Sequence, residues 1–183
     1  SLAKTGDPQS VDLILDRAVL RSMAELAQEI GSPFLTGFVG SQIDLANIRA
    51  AVRLTRMGKD SAALGRALTP GGTLAPETLE QAALGGMDRL LEVIAGWKHG
   101  EALEPSFEGL RAGRSLTKFE KLCDDLLVSL LDPAKLVPFG IEPLVAYLYA
   151  RECEVKAARI VMASKLAGVA PQQIMERLRE TYV

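Results

Sequence analysis

Histidine is nearly absent. His99 is the only one, so neither a His-based metal cluster nor a paired proton relay can be assembled within this chain. It sits in a polar, Gly-flanked loop and reads as a solvated side chain. Cysteine is almost as scarce: Cys123 and Cys153 stand alone, both inside helical patterns and without a CxxC spacing. That suits a reducing compartment and buried thiols, not a disulfide or a redox pair. Aromatics make up 5% of the chain, so Leu, Ala, Val and Ile must fill the core. The longest unbroken apolar stretch, near Pro143 to Ala150, falls far short of the roughly 18 residues that would read as a membrane span. If the protein works at a membrane, it does so as a peripheral part. No signal peptide is visible, and cytoplasmic residence is the default.

Two further absences bear on chemistry. The run RLTRMGKD from Arg53 to Asp60 has no Gly opening a phosphate loop, and Asp60 stands where Ser or Thr would have to hold magnesium. Thr69-Pro70-Gly71-Gly72 has no Lys to reach a phosphate, so it reads as a structural turn. Asp124 and Asp125 occupy adjacent helix positions about 100° apart, which points the two carboxylates in different directions and weakens a case for paired acid–base catalysis. No alternating strand pattern bounded by turn residues occurs anywhere. The fold class that remains is all-α.

What is present is ordinary globular material. The chain of 183 residues is 48% hydrophobic and 24% charged, long enough for one core or for two small units sharing one. A net charge of −2 and a sequence pI of about 5.6 leave no electrostatic footprint for nucleic acid.

Periodicity places the helices. After a small, polar tail over residues 1–10, Ser10 is expected to cap a helix from Val11 that Gly31 stops. Ser32 and Pro33 restart it, and the new helix passes through Asp44, Asn47 and Arg49 to Gly58. Gly37 and Gly40 within it would be expected where two backbones approach closely. Asp60 caps a short helix ending near Leu68, and Pro76 opens another to Leu84. A further amphipathic piece spans Met87 to Trp97. Lys98 to Pro105 marks the internal boundary, with irregular structure around Gly109 and Gly113. Ser115 caps a strong helix, and Pro143 opens a long one that runs to Gly168 before Pro171 starts the last.

Two of these stretches share a design at one constant offset. Arg49 matches Arg159, Gly58 matches Gly168 and Leu68 matches Leu178. Asp44 with Glu154, Leu45 with Val155 and Leu64 with Ile174 are conservative pairs in the same alignment. An internal repeat of a long helix, a Gly stop and a short helix is therefore expected, with Gly58 and Gly168 in left-handed conformations just past helix ends.

IDLANIR followed by LTPGG, and then EPLVAYLYARECEVKAARIVMASKLAGVAPQQIMERL, resembles the C subunit of the archaeal-type (A/V-type) rotary ATPases, the relative of the d subunit in eukaryotic vacuolar ATPases. The resemblance covers most of the chain. It implies three similar helical units in a pseudo-threefold funnel, each with an acidic residue and an N-I-R-like segment on a long helix. This chain would hold the second unit over residues 1–112 and the third over residues 113–183. The implied function is mechanical: a non-catalytic rotor subunit, without cofactor or metal, couples the central stalk to the membrane proteolipid ring in ATP-linked proton or sodium transport. ATP chemistry would belong to other subunits. An unrelated helical adaptor that presents a groove to a partner helix is the alternative.

The candidate structural or docking residues follow from the two copies: Asp44, Asn47, Arg49, Arg53, Arg56 and Gly58 in the first, Glu154, Arg159 and Gly168 in the second. Arg49, Arg53 and Arg56 at i, i+4, i+7 line one helix face, which reads either as solvated or internally paired, or as a docking stripe. Arg49 and Arg159 read most simply as ties between helices. Ala157 replaces the Asn in the second copy, so any hydrogen bond that Asn47 supplies has no counterpart there. With the first unit not in this chain, an exposed apolar surface is expected to make the chain self-associate or to draw the helix from Val11 to Ile30 over the gap.

Overall fold

A computed structural model describes residues 8–179, with side chains from Ile14 onward. Among the described residues it holds nine α-helices, two short 3-10 segments and no strand, as expected of an all-α chain. The chain divides into two compact units, one ending at Glu104 and the other beginning at Pro105.

The first unit contains α1 (Pro8–Ile30), α2 (Pro33–Arg56), α3 (Ser61–Ala67), α4 (Pro76–Leu84) and α5 (Met87–Ala95). α1 starts at Pro8, ahead of the expected cap at Ser10, because the fixed φ and missing N–H of proline cost nothing in a first turn. The tail reading of residues 1–7 lies outside the described residues. Ser32 does cap α2, its hydroxyl accepting from Leu35 N at 3.4 Å with Pro33 in the first turn.

α2 is the hub. Its buried residues Leu35, Phe38, Val39, Ile43, Leu45, Ile48, Ala51 and Val52 fall on more than one side of the helix, because α1, α3, α4 and α5 all pack against it. Leu64, Leu79, Leu90, Leu91 and Ile94 close the core from the other helices. The close approach expected at Gly37 is absent, since a Cβ there would meet open space. At Gly40 it would meet the Gly71 carbonyl at an ordinary 3.8 Å.

The 3-10 segment Gly100–Ser106 leads into the second unit, where α6 (Phe107–Arg111), α7 (Thr117–Ser129), the 3-10 turn Asp132–Leu136, α8 (Ile141–Leu166) and α9 (Pro171–Arg177) follow. Regular structure thus takes in Gly109, where the sequence suggested irregularity. Ser115 is not the cap of α7; Leu116 holds that position, and the Ser115 hydroxyl instead accepts from Thr117 N at 3.2 Å. α8 begins two residues before Pro143, with Gly140 as its cap at φ 126. Pro143 still lies in the first turn, where its missing N–H has no intrahelical partner to lose. Phe107, Phe119, Cys123, Leu127, Leu131 and Ile174 are buried here.

The expected repeat is visible in the element boundaries. α2 ends at Arg56 and α8 at Leu166, while α3 runs Ser61–Ala67 and α9 runs Pro171–Arg177. Each of these pairs is separated by the same offset as Arg49 and Arg159. The helix stops match bond for bond. Gly58 has φ +61 and Gly168 has φ +68. Lys59 N donates to Leu54 O at 3.0 Å and Gly58 N to Thr55 O at 3.1 Å, while Val169 N donates to Ser164 O at 2.9 Å and Gly168 N to Lys165 O at 3.1 Å. Both are six-to-one and five-to-two closures around a left-handed glycine.

Candidate functional site

The sequence pointed to one polar constellation per copy of the long helix, and the structure treats the two copies differently. In the first unit Asp44 sits on the buried side of α2, with no exposed surface. An isolated carboxylate there would be very costly, so its oxygens must be filled. Thr73 N donates to Oδ2 at 3.0 Å, the Thr73 hydroxyl at 2.6 Å and the Trp97 indole Nε1 at 3.1 Å, while Leu74 N donates to Oδ1 at 2.9 Å. One turn further along, Asn47 takes both backbone groups of Thr69: its Nδ2 donates to the carbonyl and its Oδ1 accepts from the N–H, each at 2.8 Å. Asp44 and Asn47, spaced i, i+3, therefore share a face and grip the two ends of the Thr69–Leu74 loop.

That loop is shaped to be gripped. A Cβ on Gly72 would overlap the Asp44 carboxylate, so the second glycine of the TPGG run is required by contact. Gly71, at φ +112, turns the chain back against Ile43. The clasp fixes the connection between α3 and α4, and through Trp97 it also anchors the segment after α5. His99 packs edge-on against Trp97 with ring centroids 5.0 Å apart, so it is half-buried and not the solvated side chain expected. Burial, with the adjacent Lys98, holds its pKa below the ordinary histidine value against the opposing pull of Asp44.

In the second unit the matching positions do something else. Glu154 is exposed and forms an ion pair with Arg151 of its own helix, and Ala157 has no amide to offer. Arg159 is exposed as well. The residue at the Thr69 position, Arg179, is held from α7 instead: its Nε reaches Asp124 Oδ2 at 2.6 Å, and Lys121 Nζ donates to the Leu178 carbonyl at 2.8 Å. Asp125 pairs with Lys121 at 3.0 Å, so the two adjacent aspartates do point to different partners. A cleft of about 260 Å³ between α7 and α8 is lined by Asp124, Tyr149, Cys153, Lys156, Arg159 and Arg179. Burial pushes the Cys153 thiol above its ordinary pKa, which disfavours the thiolate.

On α2, Arg49 is half-buried while Arg53 and Arg56 are exposed in the last turn, where cations complement the helix dipole. Among the described residues no three His, Cys, Asp or Glu side chains are placed to hold a metal ion. No helix of the described residues is long and apolar enough to cross a membrane. Sequence reasoning found Asp44 and Asn47 but not what they hold. Thr69, Thr73 and Trp97 complete the clasp, and the signal that could have found them is the polar i, i+3 pair on the buried side of a helix, which demands buried donors.

Comparison with known proteins adds a family. The family described as ATP synthase (C/AC39) subunit matches residues 1–177. The chain is similar to the C subunit of the V-type sodium ATPase of Enterococcus hirae, at 28% identity over 95% of this chain and 52% of that protein. It is also similar to the C subunit of the A-type ATP synthase of Halorubrum lacusprofundi, at 27% identity over 96% of this chain and 51% of that protein. The corresponding Haloferax volcanii protein is 31% identical over 77% of this chain and 40% of its own length. The chain thus spans about half the length of the curated relatives it matches, or less. No solved structure matches it.

Proposed function

The chain belongs to the ATP synthase (C/AC39) subunit family, and on that premise we propose that it acts as a non-catalytic rotor subunit of a V/A-type ATPase or ATP synthase. In this reading it couples the central stalk to the membrane proteolipid ring in ATP-linked proton or sodium transport, and it resides at the cytoplasmic face as a peripheral part of the complex. The two helical stretches, residues 1–112 and 113–183, would serve as the second and third units of the funnel. The observation that carries the reading is the family match over residues 1–177.

The clasp is consistent with it. A part that transmits torque needs loops that do not give, and the buried side chains of Asp44 and Asn47 tie a loop to the hub helix with bonds of 2.6–3.1 Å. Helices suit the task because their backbone bonds close internally and leave side chains free for contact. The test is capture from detergent-solubilised membranes with an affinity-tagged chain expressed in its own host. Recovery of central stalk subunits together with the proteolipid ring is expected. Recovery of the chain without either, from membranes in which the assembled ATPase is present, would contradict the proposal.

A further inference from the structure

We propose that the cleft between α7 and α8 binds a phosphate group, free or as a small phosphate monoester, through Lys156, Arg159 and Arg179. The inference does not rest on the function proposed above, and the cleft lies wholly within the second unit. Tyr149, Cys153, Lys156 and Ile160 stand at i, i+4, i+7 and i+11, so they fall on one line of α8 within about 40°. With Asp124 and Val128 of α7 they enclose a space of about 260 Å³. A helix face packed closely on its neighbour carries an apolar side chain at each of these steps. The lysine in the third place leaves an ammonium at the mouth of an open cleft instead.

Three cations and one carboxylate line this space, and the hydrogen bonds show which donors are spent. Arg179 gives its Nε to Asp124 Oδ2 and its Nη1 to the Arg177 carbonyl, each at 2.6 Å. That fixes the guanidinium in place and leaves Nη2. Lys156 Nζ stands 3.8 Å from Glu152, too far for a hydrogen bond. It lies 5.6 Å over the centre of the Tyr149 ring, so the side chain folds back along the cleft wall with its three donors unspent. The Arg159 guanidinium has no ion pair among the described residues. Only the charge of Arg179 is met by a lining acid. A phosphate monoester carries a charge of about −1.5 to −2 at pH 7 and three acceptor oxygens, so it can take charge-assisted bonds from α8 and from the segment after α9 at once. A carboxylate, with two oxygens and one charge, matches the donors less well. The volume falls below the roughly 300 Å³ at which pockets take drug-sized ligands, which suits one phosphate with a short substituent.

The cleft carries its own reporter. Cys153 lines it and is half-buried, whereas Cys123 is fully buried, so iodoacetamide alkylation of the native chain reads access to the site. Glycerol 3-phosphate and inorganic phosphate, titrated at constant ionic strength to remove general screening, should slow alkylation several-fold and saturate in the millimolar range. Phosphatidylcholine vesicles carrying phosphatidic acid present the same monoester on a lipid. Protection by the soluble anions assigns a free ligand, and protection by the vesicles alone assigns a headgroup; both uphold the site. Arg159→Gln and Lys156→Gln should each raise the half-saturating concentration roughly tenfold with helicity unchanged by circular dichroism, since neither side chain holds a hydrogen bond in the fold. Lys165→Gln, on the same helix outside the cleft, should leave it unchanged. No protection by soluble anions up to about 50 mM, nor by vesicles at about 1 mM phosphatidic acid, would overturn the proposal. So would protection that survives both cleft substitutions, or that Lys165→Gln weakens as much as they do, which would make it a general effect of charge.

Discussion

At the scale of single residues, Asp44 is the most consequential side chain in the chain. It satisfies two backbone N–H groups, a hydroxyl and an indole from a fully buried position. Asp44→Ala removes the acceptor of the two N–H groups and of the Thr73 hydroxyl and leaves the indole only its bond to Thr73 Oγ1 at 3.0 Å, and the expected loss is about 2 kcal/mol or more of unfolding free energy in denaturant titration. Trp97 is the only tryptophan and touches the carboxylate, so its fluorescence should change in the native baseline of the variant; an unchanged spectrum would mean the clasp carries no weight. Gly58 and Gly168 are the simpler case. Replacing either by Ala should destabilise its unit by about 1 kcal/mol, because each holds a positive φ while the space around a Cβ is open. A neutral or stabilising melt would mean the left-handed stop is dispensable. These glycines were legible from sequence because a helix end leaves a local mark: an apolar period, then Gly, then a polar restart. The partners of Asp44 were not legible, since Thr73 and Trp97 reach it from 29 and 53 residues away with no spacing that announces the contact.

Among the elements, α2 and α8 show how far a repeat can be read and where it stops. The constant offset predicted matching helix ends, and the closures at Gly58 and Gly168 match atom for atom. What the offset could not predict is burial. Asp44 faces a loop that α2 holds, whereas Glu154 faces solvent on a helix whose following segment is secured from α7 by Asp124 and Lys121. Two helices with the same boundaries therefore have different jobs, decided by which neighbour packs on which side. The loss of Asn at Ala157 was the one sequence sign of this. Arg53 and Arg56 give a test at the same scale. Reversing both to Glu should weaken association with stalk or ring in a salt-dependent manner and leave helicity intact. Unchanged assembly at low salt would assign the stripe to completion of the α2 dipole and to solvation.

For the molecule as a whole, the all-α class followed from what the sequence lacks, and the chain divides into its two compact units between Glu104 and Pro105, at the end of the punctuated stretch from Lys98. No reactive constellation was expected from a chain with one histidine and no phosphate loop, and the polar site that the fold does build is a clasp. In the function proposed, the chain transmits motion and takes no part in ATP chemistry. The most direct measurement compares ATP hydrolysis with ATP-driven ion accumulation in membrane vesicles from cells with and without the chain. Deletion is expected to abolish ion accumulation while catalytic subunits released from the membrane hydrolyse ATP at their usual rate, and re-expression is expected to restore accumulation. Vesicles that accumulate ions normally without the chain would contradict a coupling role.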